Sequence, residues 1–333
     1  MEKMKILSDD LRHDFIGSPP SPPTVLRTSY LWSNYHFNNN NPIVIQKKID
    51  EWIHITRIDN NFIPVSVLVG LSGYISDKTA LFTPHFWGAF SIIHIISAAG
   101  MVINDLFDME ADCINHYDRP LVQGTITEVE AATFVLSSLV LVPIIGYSLL
   151  PLYVAPFWWG AMAIVLLYSP ILKKLFFVKN LACATVVAST VPFVAFSIMD
   201  PIQNLDLYWV RLTEQTIFMA SLYIELLLDI TDIQGDRENN IPTLPVIVGK
   251  DITLLVVTGI VSAGWINMLT TLYTYSVSAP ILAGITLSYV PFYLNLWRIM
   301  RTNGSNSMIK NAIRQTTVSL VIYFASIIIS NCY

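Results

Sequence analysis

Ile92-Ile93-His94-Ile95-Ile96-Ser97-Ala98-Ala99-Gly100-Met101-Val102-Ile103-Asn104-Asp105-Leu106-Phe107-Asp108-Met109-Glu110-Ala111-Asp112 passes from an unbroken apolar run straight into a cluster of acids. The first part reads as a membrane helix, because spanning a bilayer takes about 20 apolar residues. In the second part, steps of three and four place Asp105, Asp108 and Asp112 on one helical face. Three carboxylates on one stripe at a membrane surface repel one another and resist desolvation, so the pattern asks for a cation.

The same arrangement returns further along. Asp229-Ile230-Thr231-Asp232-Ile233-Gln234-Gly235-Asp236 closes another apolar run, again with Asp229, Asp232 and Asp236 spaced by three and then four. One such cluster is as readily a polar helix end in water. Two with identical spacing, both at helix ends, read better as carboxylate sets that hold a diphosphate through Mg²⁺, which takes one or two carboxylates together with substrate phosphate and water.

The composition agrees with a membrane protein. Of 333 residues, 53% are hydrophobic and 13% charged, about half the charge of a typical soluble domain. Nine apolar spans are expected, at about 60–76, 86–107, 129–149, 152–169, 181–199, 212–230, 252–274, 279–299 and 311–331, giving an all-α polytopic protein with about nine transmembrane helices around a central cavity. Residues 1–45, with Ser18-Pro19-Pro20-Ser21-Pro22-Pro23 and the run Asn38 to Asn41, are expected to form a flexible tail without a signal-peptide pattern; the membrane domain covers 46–333. Of the lysines and arginines, 17 fall in the N-terminal segment and the loops after even-numbered spans, against two, Lys78 and Arg211, elsewhere. The positive-inside rule then puts both aspartate motifs on the cytoplasmic face.

Cationic partners for a diphosphate lie on that same side. Arg119, Lys173, Lys174 and Arg237 sit in the loops that follow spans two, four and six, where Arg grips phosphate bidentately and Lys acts as a point charge. Each also serves as an ordinary positive-inside anchor. Arg57, Asp59, Asn60 and Asn61 interrupt the approach to the first span, either as an interfacial helix end or as groups facing a cavity, where Arg57, Asn60 and Asn61 could orient an acceptor. Trp158, Trp159, Phe218 and Tyr223 could shield a carbocation or simply pack. His94 reads as a hydrogen-bonded core residue. Cys113, Cys183 and Cys332 lack CxxC spacing, no basic block suggests nucleic acid, and no Ser/His/Asp or Cys/His nucleophile set is found.

These residues resemble the UbiA-type intramembrane prenyltransferase superfamily over roughly 50–331. Asn104-Asp105 to Asp112 is similar to NDxxDxxxD and continues through Ile114-Asn115, Arg119-Pro120-Leu121 and Gly124, with Gln123 where the family carries serine. Asp229 to Arg237 followed by Thr243-Leu244-Pro245 is similar to DxxDxxGDxxxGxxTLP, with Asn240 in place of glycine, and Tyr168 to Lys173 resembles YxxxLK. The resemblance implies a prenyltransferase, an enzyme transferring alkyl or aryl groups other than methyl. It further implies Mg²⁺, a polyprenyl diphosphate donor of geranylgeranyl or farnesyl length and a lipophilic aromatic or lipid-alcohol acceptor drawn from the membrane. Catalytic and metal roles fall on Asp105, Asp108, Asp112, Asp229, Asp232 and Asp236. Substrate contacts fall on Asn104, Arg119, Tyr168, Lys173, Arg237, Arg57 and Asn61. A terpene cyclase of the same superfamily shares these residues; a transporter would instead spread its carboxylates along an ion path.

Overall fold

The computed structural model describes residues 42–109, 112–113, 118–199, 207–238, 240–302 and 304–330. Residues 1–41 of the expected tail lie outside the described residues. Its end, 42–45, already belongs to helix α1, Pro42–Thr56. The chain divides at Lys48/Ile49 into two compact units, and the second, Ile49–Tyr333, carries the helical bundle and both aspartate motifs.

The described secondary structure is helical throughout, without a strand. The helices are α2 (Ile58–Ser76), α3 (Pro84–Phe107), α4 (Pro120–Gln123), α5 (Glu128–Leu149), α6 (Ala155–Tyr168), α7 (Val178–Ile198), α8 (Tyr208–Thr231), α9 (Ile233–Glu238), α10 (Leu244–Val248), α11 (Lys250–Thr274), α12 (Ala279–Leu287), α13 (Val290–Thr302) and α14 (Asn306–Ser330). Local chemistry fixes their starts. The Thr83 hydroxyl accepts from the Phe86 amide at 3.2 Å ahead of Pro84, and Thr127 and Glu130 close a reciprocal capping box on α5.

Eight of the nine expected spans each coincide with one helix and 279–299 with two, α12 and α13, but among the described residues only six stretches are long and apolar enough to cross a membrane by length and composition: α3, α5, α7, α11, the stretch Ala279–Thr302 and Asn306–Ile329. The other three fall short for separate reasons. Asp59, Asn60 and Asn61 lower the hydropathy of α2, α6 is short even with the turn before it, and α8 carries Arg211, Glu214, Glu225 and Asp229. Between a quarter and a half of each long span is buried inside the protein. Their other faces expose apolar side chains such as Leu136, Val140, Ile144, Leu255 and Val321, which only a lipid environment accommodates. The protein is an integral, multi-pass membrane protein.

Helix α7 is the hub that positions the site. It packs along α8, and also against α2, α3 and α6. Ala184, Ala188 and Ala195 are buried along it, and small residues let helix backbones approach closely in a membrane bundle. The aromatic residues weighed as cation shields turn out to pack: Trp158 is buried edge-on to Tyr147, and Tyr223 edge-on to Phe292.

Candidate active site

The first motif forms at the end of α3. Asp105 points inward and is 1% exposed, where two guanidinium groups meet it. Arg57 donates through Nη2 to Oδ1 at 2.9 Å, and Arg119 donates from Nη1 to both carboxylate oxygens at 2.9 and 3.0 Å. Arg57 also places Nη1 3.3 Å from the Met101 sulfur. It lies between α1 and α2 with φ at 52°, a left-handed conformation that a residue with a long side chain holds only when its surroundings enforce it. Asp108 caps the same helix and accepts from Lys173 Nζ at 2.5 Å. Ser169 donates to Asn104 Oδ1 at 3.3 Å. Asp112 is buried.

The second motif forms at the end of α8. Asp229 is 4% exposed and held on both oxygens: Lys179 Nζ reaches Oδ1 at 2.7 Å, and Asn180 Nδ2 donates to Oδ2 at 2.9 Å. Asp232, at the helix terminus, is exposed and accepts from its neighbour Thr231 at 3.0 Å. Asp236 on α9 is half-buried, and its Oδ2 is shielded from solvent with no hydrogen-bond partner within 3.5 Å among the described residues. Burial pushes its carboxyl above the ordinary carboxylate range, against the opposing pull of Lys179.

The remaining residues expected to meet substrate stand away from the aspartates. Among the described residues Lys174 and Arg237 are exposed and form no ion pair with a motif aspartate. Tyr168, at the end of α6, directs its hydroxyl to Cys183 rather than to an aspartate. Asn61 lines a cavity of about 250 Å³ with Thr56, Phe62, Val65, His94 and Phe134. His94 is half-buried and hydrogen-bonded, to Ser66 at 3.1 Å and to the Phe90 carbonyl at 2.8 Å. The departure at Asn240 has a backbone explanation: its φ is 55°, and asparagine is the residue that best replaces glycine in the left-handed region.

Sequence reasoning counted Lys179 only as a topology signal and passed over Asn180. Both open α7, and the segment 169–180 that leads into it touches both motifs. Ser169 and Lys173 serve Asn104 and Asp108; Lys179 and Asn180 serve Asp229. Among the described residues no three His, Cys, Asp or Glu side chains converge tightly enough to hold a metal unaided. The all-oxygen donors, the exposed Asp232 and the orphaned Asp236 oxygen fit a hard cation.

A family model described as the UbiA prenyltransferase family matches residues 62–314. Digeranylgeranylglyceryl phosphate synthase of Sulfolobus acidocaldarius is 31% identical over 210 residues, covering 62% of this chain and 73% of its own. The enzyme of the same name from Methanospirillum hungatei is 28% identical over 248 residues, covering 74% and 86%. Among solved structures, one concerned with digeranylgeranylglyceryl phosphate synthase in membranes superposes with a TM-score of 0.68 at 20% identity, over 85% of this chain and 98% of that one. A UbiA homologue from Archaeoglobus fulgidus bound to GPP and Mg²⁺ superposes at 0.58 and 18% identity, over 83% and 99%. At those identities the structures speak to fold.

Proposed function

The chain belongs to the UbiA prenyltransferase family, and from that premise we propose that it transfers a geranylgeranyl group from its diphosphate to the free hydroxyl of a glycerol-phosphate lipid. The donor class follows from the paired motifs. The acceptor class follows from the synthases it resembles, whose named product carries two geranylgeranyl groups on glyceryl phosphate. The transfer of the second group is the step assigned to this chain. The observation that carries the reading is the segment 169–180, which ties the end of α3 to the end of α8 through Lys173 and Lys179, so that one substrate group can engage both.

Each side chain then has a role. Asp232 and Asp236 at the second motif, and Asp108 and Asp112 at the first, would hold Mg²⁺, which would supply charge neutralisation to the leaving diphosphate. Arg57 and Arg119 fix Asp105 and stand ready for phosphate oxygens, as does Lys173. Lys174 and Arg237, exposed and free of the motif aspartates, close on the diphosphate from solvent. Asn104 supports the first motif through Ser169, and Tyr168 with Asn61 borders the prenyl and acceptor space. The bundle excludes water, which would otherwise capture the allylic cation. The 17-to-2 distribution of basic residues supports a cytoplasmic position for both motifs.

Purified protein in lipid nanodiscs, given geranylgeranyl diphosphate and geranylgeranylglyceryl phosphate, should form the coupled product and diphosphate in equal amounts. EDTA should stop this, and excess Mg²⁺ should restore it. Conversion of the donor alone to a cyclic hydrocarbon at a similar rate would instead identify a cyclase.

A further inference from the structure

Carried inward, the second motif has another member. Glu225, Asp229, Asp232 and Asp236 follow one another at steps of four, three and four; Glu225 and Asp229 share one face of α8, and Asp232 at its end and Asp236 on α9 carry the spacing outward. The matching position of the first motif, four residues before Asp105, is Met101, whose sulfur lies under Arg57. Only the second motif therefore continues into the span as a carboxylate. Ionisable groups inside membrane helices are expensive to keep and usually mark function.

Three helices converge around Glu225. The Lys179 ammonium and the Cys183 thiol act on it from α7, Asp229 from its own helix, and Tyr168 from α6, where its hydroxyl meets Cys183. Glu225 is half-buried and forms no salt bridge among the described residues, since the ammonium acting on it is bound to Asp229 at 2.7 Å. One helical turn, about 5.4 Å, separates it from Asp229 along the axis. A diphosphate held at the level of the aspartates would leave its first prenyl carbon and the attacking oxygen one step deeper, at the level of Glu225.

We propose that Glu225 is the catalytic base that takes the proton from the acceptor hydroxyl; this rests on the prenyl-transfer reading given above. The bond between the first prenyl carbon and the diphosphate oxygen breaks, and its electron pair leaves with the diphosphate. The acceptor oxygen forms the new ether bond to that carbon, and its proton passes to the Glu225 carboxylate, which returns it to water when product leaves. Atoms and charge balance without a further reactant. Lys179, shared between Glu225 and Asp229, links the base to the diphosphate end of the site.

The test uses the full chain in nanodiscs, geranylgeranyl diphosphate as donor, and two acceptors: geranylgeranylglyceryl phosphate and its analogue with a thiol in place of the free hydroxyl. General-base catalysis is worth about 10²- to 10⁴-fold. Glu225→Gln should therefore lower kcat with the alcohol at least about 100-fold while the donor KM stays within about twofold. With the thiol at pH 9, where a group of pKa about 8.5 is mostly thiolate, Glu225→Gln and wild type should agree within about threefold. Glu225→Asp should recover part of the alcohol rate. Equal loss with alcohol and thiol, or a Glu225→Gln enzyme that keeps the alcohol rate, overturns the base role. Absence of transfer by the wild type overturns the functional reading, and this proposal with it.

Discussion

At the end of α3, Arg57, Arg119 and Lys173 close on Asp105 and Asp108; at the end of α8, among the described residues, Lys179 is the one cation that reaches Asp229, and Asp232 and Asp236 form no salt bridge. The two clusters have the same spacing on the same kind of helix, so periodicity does not separate them. What separates them is the charge the rest of the fold delivers. The first motif is neutralised by the protein itself, and its cations must shift toward an arriving phosphate. The second keeps an unmet demand for positive charge, most plainly at the orphaned Asp236 oxygen.

The largest effects should come from mutating one motif against the other. Asp232→Asn and Asp105→Asn should each lower kcat by at least about 10²-fold, since several kcal/mol of transition-state charge stabilisation is lost. Their stabilities should diverge. Asp232 is exposed, so its variant should melt within about 0.5 kcal/mol of wild type. Asp105→Asn strands two guanidinium groups; with Arg57 29% and Arg119 19% exposed, water softens the penalty to about 2–3 kcal/mol. Equal melting temperatures in detergent would show that the pairing around Asp105 carries no structural weight.

A middle-sized effect should follow from stripping the first motif of a cation. Lys173→Met removes the ion pair to Asp108 and gives that carboxylate the unmet demand of Asp232. A charged hydrogen bond is worth about 1.5–3 kcal/mol, so donor KM should rise about tenfold or more, while the Mg²⁺ concentration for half-maximal rate falls. Movement of both in the same direction would break the contrast.

The smallest effects belong to the turns after the motifs. Each is followed by a left-handed residue, Gly124 at φ 70° and Asn240 at φ 55°. A residue with an ordinary side chain loses about 1–2 kcal/mol in that region. Gly124→Ala and Asn240→Ala should each destabilise by about 1 kcal/mol, and Asn240→Gly should be neutral. A stable Asn240→Ala variant would mean that the conformation can relax.

The helices and the aspartate stripes were legible in the sequence because both follow from periodicity along one chain segment. Run length also set the expected spans, although α2 and α8 fall below the apolar threshold through the very polar residues, Asn61 and Asp229 among them, that were read as functional. The partners were not legible. Lys179 and Asn180 meet Asp229 only because α7 packs along α8 in one rotational setting, which no local pattern encodes. Lys174 and Arg237 looked equivalent to Lys173 and Arg119 in the sequence, yet they stand in solvent. Glu225 was the one missed residue with a local signal: extending the three-and-four spacing one turn inward from Asp229 reaches it.

The segment 169–180 holds two salt links, from Lys173 to Asp108 and from Lys179 to Asp229. Ligands that compete for Lys173 and for Lys179 are therefore not independent. Displacing either lysine alters the tension on the same short stretch of backbone, so what binds at one motif changes the free energy of binding at the other. Thermodynamic linkage makes that influence reciprocal, and couplings of this kind amount to roughly 1–3 kcal/mol. A diphosphate and its counter-ions should then load as a cooperative set, each raising the affinity of the other by the same factor, and the half-loaded enzyme should be the rarest species in the cycle.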